Sequence, residues 1–208
     1  PSRSLGYIET SILGAYRGQE EVPGWMIPQL YFDYLRSGDA RPLQGVFYHN
    51  AMDILALAAL FSHTAHMLDN PTHAEVIENL DRVAVGRLYA ELGHIDEAAE
   101  IYRQALEGGL PEEQFWGTLE RLALIYRRSG NWAEAASLWK KAADNGRLGA
   151  CVELAKYYEH VLRDRSSALE YTEKAILLVN APQFPAYQRR QWLRELQHRQ
   201  ERLLKKEG

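Results

Sequence analysis

The stretch "VGRLYAELGHIDEAAEIYRQAL" (residues 85–106) returns as "LALIYRRSGNWAEAASLWKKAA" (122–143) and again, with one extra residue, as "LAKYYEHVLRDRSSALEYTEKAI" (154–176). Ala98, Ala135 and Ala168 correspond, as do Ala105, Ala142 and Ala175, at successive spacings of 37 and 33 residues. Each recurring residue type has a mechanical task. Gly86, Ala123 and Ala155 are small where two helices of a hairpin must cross closely. Tyr89, Tyr126 and Tyr158 follow three residues later on the same helical face, as wedges. Gly93 and Gly130 suit a turn that needs positive φ. Tyr102 and Trp139 stand four residues after the packing alanines, and Thr172 holds that place in the third copy, which also lacks the turn glycine.

A period near 34 residues, filled by helix–turn–helix units with these small and aromatic positions, resembles the tetratricopeptide repeat. Such units bury their apolar faces only against neighbours, so three are near the minimum for stability. They also need a terminal helix with a wet outer side. "AYQRRQWLRELQHRQERLLKK" (186–206) fits, with Trp192, Leu193, Leu196, Leu203 and Leu204 as its apolar stripe. Residues 188–208 carry seven Arg or Lys against three Glu, a local excess of four positive charges. Two readings of that excess are a solvated cap and docking to phosphate or an acidic protein.

Composition narrows the classes. A chain of 208 residues with 46% hydrophobic and 25% charged content suits one or two globular cores. A net charge of −4 is too mild to imply a nucleic-acid or membrane partner from bulk electrostatics. The single cysteine, Cys151, excludes an internal disulfide, suits a reducing cytoplasm, and has apolar neighbours that mark it as structural. No signal-peptide pattern opens the chain, and the apolar run Ile54 to Phe61 is shorter than a bilayer span, so no membrane partner is expected. The first residue is Pro1, which fits a processed protein and equally a piece of a longer one.

The first seventy residues do not repeat. "SLGYIETSILGAY" (4–16) reads as an amphipathic helix, "RGQEEVPG" (17–24) as a loop, and "MIPQLYFDYLRSG" (26–38) as a helix stopped by Gly38. Asp39 reads as the N-cap of a following helix that is apolar nearly all round from Ile54 onward, which predicts burial on several sides.

The order "VPGWMIPQLYFDYLRSGDARPLQGVFYHNAMDILALAAL" resembles the C-terminal end of a bacterial RNase H-like exonuclease domain of the YprB-like, DEDD-type kind, over about residues 4–62. That resemblance implies that Asp53 is the last of four metal-binding acids and that an intact parent works with Mg²⁺ or Mn²⁺ as a 3′–5′ exonuclease. Two-metal hydrolysis requires several converging carboxylates. Nothing before Asp53 reads as a strand bearing an acid pair. Glu9, Glu20, Glu21, Asp33 and Asp39 are scattered through helix and loop. The family's other acids would therefore lie upstream, and no cofactor is expected in this chain itself. The family places a tyrosine four residues, or a histidine five, before its final Asp; here His49 is at minus four and Tyr48 at minus five. His49 shares a helical face with Asp53, which leaves two readings: a catalytic partner in the parent, or a surface His–Asp pair.

Other constellations are weaker. His63, His66, Asp69 and His73 lack both an HExxH glutamate and cysteine support for a metal site. Gly108, Gly109 and Pro111 read as an inter-repeat turn. The repeat register assigns the concave groove to Arg87, Glu91, Glu120, Leu124, Arg127, Arg128, Lys156 and His160, a mixture suited to an extended or acidic peptide of an unknown protein.

The expected fold is therefore all-α. A helical segment (1–70) precedes three tetratricopeptide hairpins in a right-handed superhelix (76–180) and a capping helix (185–206). The leading function is a protein-interaction module attached to a nuclease-like domain. The rival is part of a metal-dependent exonuclease that meets nucleic acid only through an upstream domain; a third reading makes residues 1–70 purely structural. An apolar face left open on the first segment predicts self-association.

Overall fold

A computed structural model describes residues 4–16, 22–69, 71–72 and 78–205. Glu20, Glu21, His73, Lys206 and most of the loop expected at 17–24 lie outside them. The described residues are helical throughout their regular structure, with no strand among them. The chain divides into two compact units, residues 1–70 and 71–208.

In the first unit, helix α1 (Leu5–Ile8) runs into a π-helical turn, Glu9–Leu13, that stops at Gly14 in the left-handed region. The single amphipathic helix expected over 4–16 is thus broken in pitch. Helix α2 (Ile27–Ser37) carries Pro28 in its first turn and ends at Gly38, as the sequence suggested. Asp39 accepts the Arg41 backbone N–H at 3.0 Å, which opens a 3₁₀ turn (Arg41–Leu43) leading into helix α3 (Gln44–Asp69). Burial of α3 is where expectation fails. Ala56 is its one buried residue, while Phe47, Ile54, Leu55, Leu57 and Phe61 are all more than half exposed. An all-round apolar helix signals that something covers it; the covering surface is not among the described residues of this unit. The span Arg41–Asp69 is long and apolar enough, by length and composition, to cross a membrane.

The second unit repeats a hairpin three times: α4 (Asn79–Glu91) with α5 (Ile95–Glu107), α6 (Glu112–Arg128) with α7 (Trp132–Asp144), and α8 (Leu148–Tyr157) with α9 (Arg165–Asn180). A last helix, α10 (Ala186–Lys205), lies on α9. From α4 to α10, helices consecutive in sequence pack on one another, the arrangement of a repeat array. The corresponding alanines are where the helices touch. Ala98, Ala135 and Ala168 are fully buried, as are Ala105 and Ala175, with Ala142 nearly so. At Gly86 the approach is closer still, since a Cβ there would stand 2.8 Å from the Tyr102 ring. Thr172, where the others have an aromatic ring, is fully buried and satisfies its hydroxyl on the Ala168 carbonyl at 2.7 Å.

The three turns share one backbone device. The carbonyls of Tyr89, Tyr126 and Tyr158 accept the N–H of His94, Asn131 and Asp164, each of which caps the next helix. In the first two turns, Gly93 and Gly130 take the positive φ this requires. The third copy absorbs its extra residue as a π-helical turn, Tyr158–Leu162, and places Arg163 at φ 57° where the others have glycine.

In the cap, Leu196 and Leu203 are buried and Trp192 and Leu193 pack against the core. Leu204, assigned to the same stripe, is instead 47% exposed.

Candidate binding groove and the His49–Asp53 pair

Four of the groove residues expected from the repeat register come together. Glu120, Leu124 and Arg127 from α6 meet Lys156 from α8 around a cavity of about 300 Å³. Its apolar lining includes Trp139, Val152 and Trp192, the last contributed by the capping helix. Arg127 reaches across the repeat boundary to donate to Glu153 Oε2 at 2.6 Å, and Lys156 donates to Glu153 Oε1 at 2.7 Å. Glu153 is about one-quarter exposed, so this carboxylate is sheltered while holding two cations at the rim. The result is an apolar hole bordered by a nearly neutral charge lattice, suited to an inserted apolar side chain rather than to a bare carboxylate.

The remaining groove residues are elsewhere. His160 Nε2 lies 3.7 Å from Glu159 and lines a second depression with Arg163, Asp164 and Arg202. Arg87, Glu91 and Arg128 are exposed and do not line the cavity. Sequence reasoning missed Glu153, Trp139 and Trp192. The signal for Glu153 was its place three residues before Lys156; its pairing with Arg127 spans 26 residues and leaves no local trace.

Glu159 is a sheltered carboxylate, at 11% exposure, and it fastens the cap. It accepts from Arg199, and Arg202 Nη2 lies 2.7 Å from its Oε1. Arg189, from the start of α10, donates to the carbonyls of Val179, Ala181 and Phe184 at 3.0–3.1 Å. Cys151 is fully buried in the core of the last two repeats, and burial pushes its thiol pKa up, which makes it an inert structural group.

In the first unit, His49 Nε2 stands 3.3 Å from Asp53 Oδ2 on one face of α3, with both side chains 29% exposed. No group of three or more His, Cys, Asp or Glu among the described residues could hold a metal ion. His63 and His66 lie in the last turns of α3, half-buried and exposed respectively. Asp53 with one imidazole does not fit a two-metal centre, which needs further carboxylates.

Comparison with known proteins agrees with both halves of the chain. A family model described as the RNase H superfamily matches residues 1–65. A tetratricopeptide-repeat model matches residues 83–114 and 118–149, which overlap the first two hairpins. The uncharacterized protein YprB of Bacillus subtilis (strain 168) is 31% identical over 177 residues, 83% of this chain. The chain spans 42% of that protein's length. This chain carries tetratricopeptide repeats behind a segment that resembles the RNase H superfamily.

Proposed function

We propose that the chain is a protein-interaction module, working in the cytoplasm, that serves an attached nuclease-like domain and is not catalytic by itself. The observation that carries this reading is the cavity between α6, α8 and α10, with its apolar lining and the Arg127–Glu153–Lys156 rim. Its occupant is an extended peptide of a partner protein, anchored by one apolar side chain. Selection of displayed peptides against the chain tests this. An enriched peptide whose affinity falls at least tenfold with Leu124→Glu, and not with Arg87→Ala, supports the groove; failure of any peptide to enrich removes it.

A second reading concerns the parent: a Mg²⁺- or Mn²⁺-dependent exonuclease to which this chain contributes Asp53, with His49 as its partner. It is favoured by the RNase H superfamily match across α3 and by the His49–Asp53 contact. The remaining carboxylates would come from upstream sequence, whose presence would also cover the apolar face of α3. The same match argues for α3 as a domain element rather than a bilayer span, in which Asp53 and His49 would be costly. Divalent-metal-dependent cleavage of labelled DNA or RNA by a form extended upstream to the length of the YprB relative, lost with Asp53→Asn, supports this reading. Absence of cleavage from both forms leaves residues 1–70 as structural helices. Where α3 is uncovered, its exposed leucines and phenylalanines favour self-association, read by light scattering of the eluting chain.

A further inference from the structure

The arginines of α10 divide into two groups. Arg189, Arg199 and Arg202 are held by carbonyls of the preceding turn or by Glu159. Arg190 and Arg194 are exposed and have no hydrogen bond or ion pair among the described residues. They stand at i and i+4, an arrangement of like charges that mildly destabilises a bare helix. His198 continues the row one turn on, also exposed, and Gln197 beside it adds a donor. One turn before Arg190, at the same face, Tyr187 lies 83% exposed. The order Tyr187, Arg190, Arg194, His198 follows i, i+3, i+7, i+11, a single stripe along the helix.

We propose that this stripe is a binding track for single-stranded nucleic acid. A row of unpaired guanidiniums follows a phosphate backbone, and an exposed aromatic ring at its end offers a base a stacking surface. An i-to-i+4 step advances about 6 Å along the helix, which lets successive cations meet successive phosphates. Glu201, at the far end of the same groove, bounds the track. The choice of a nucleic acid over an acidic polypeptide rests on the nuclease-like reading above. The exposed ring adds to it, since a purely electrostatic partner has no use for one. The track would hold the strand outside the nuclease-like segment, so contact with nucleic acid is not confined to an upstream domain.

The test is fluorescence anisotropy of a labelled oligo(dT) of about 20 nucleotides with the full 208-residue chain, across a NaCl series. The expected result is salt-dependent binding that Arg190→Glu with Arg194→Glu weakens more than tenfold. The salt slope should then fall by about 1.4, from two single-strand phosphate contacts at about 0.7 each. Tyr187→Ala should weaken binding at least about fivefold at every salt concentration. All three positions are exposed, and unchanged helical circular dichroism verifies the fold of each variant. Absence of binding at low salt, or binding indifferent to these substitutions, overturns the proposal. So does poly-glutamate competing as well as oligo(dU), which would assign the stripe to an acidic protein. Asp53→Asn should leave this binding unchanged, so loss of the nuclease reading and loss of the track are separable.

Discussion

The backbone carbonyl of Tyr158 accepts the N–H of Asp164 at 2.8 Å, six residues on, whereas that of Tyr126 accepts the N–H of Asn131 at the same distance, five residues on. One inserted residue has been taken up without changing which carbonyl closes the turn or which residue caps the next helix. The cost falls on Arg163, a non-glycine residue held at φ 57°.

Arg163→Gly should therefore stabilise the second unit by about 1 kcal/mol, because glycine adopts that conformation without a Cβ penalty. Thermal unfolding should show a raised Tm. Arg163→Val should lower it, as a β-branched residue is the poorest fit to this region.

Asp164 caps α9 by accepting from the backbone N–H and hydroxyl of Ser167, and these contacts hold its carboxyl below the ordinary carboxylate range. Its folded pKa is lower than its unfolded one. The contribution is thus complete above the unfolded value of about 3.9 and is lost as pH falls through the depressed folded value. Urea midpoints measured down to about pH 2.5 should fall for the parent chain. Asp164→Asn keeps a capping oxygen, so its curve should be flatter over the same range.

At Gly86 the Tyr102 ring leaves no room for a Cβ. Gly86→Val should destabilise by about 1–3 kcal/mol, the usual penalty for overpacking. Combined with Tyr102→Leu, which removes the clashing ring atoms, the effects should be non-additive; strict additivity in chemical unfolding would show that the two do not share the space.

Glu159→Gln should loosen the capping helix, because Arg199 and Arg202 converge on this sheltered carboxylate. The expected loss is about 1–3 kcal/mol, between the values for exposed and buried pairs. Hydrogen exchange should report it as faster exchange across α10, ahead of α4 and α5. Uniform acceleration across all helices would contradict a local fastening role.

How far the sequence carried the structure depends on what each feature requires. The repeat was legible because alanine or glycine at a helix crossing is a steric necessity: Ala98, Ala135 and Ala168 could hardly be larger at zero exposure. The His49–Asp53 contact was legible because i and i+4 always share a helical face. The groove was half legible. Register alone brought Leu124, Arg127 and Lys156 to one cavity, but Trp192 arrives from a helix with no repeat register. His160 was drawn away by the π-turn, which rotates everything after Tyr158. The burial of α3 was misread because a sequence states a side chain's preference for cover without stating which segment supplies it. Leu55 and Phe61 carry that preference and remain more than half exposed.

Cys151 has zero exposure, at a point where α7, α9 and the cap share one core with α8. Since it is the one cysteine in 208 residues, it gives the chain a built-in clock. A thiol reagent can react only when that core opens, and the rate of labelling measures how often it does. The first unit carries no cysteine and so adds no label of its own. A ligand seated against Trp192 and Trp139 should slow the clock in proportion to its occupancy, even if it leaves every helix where it was.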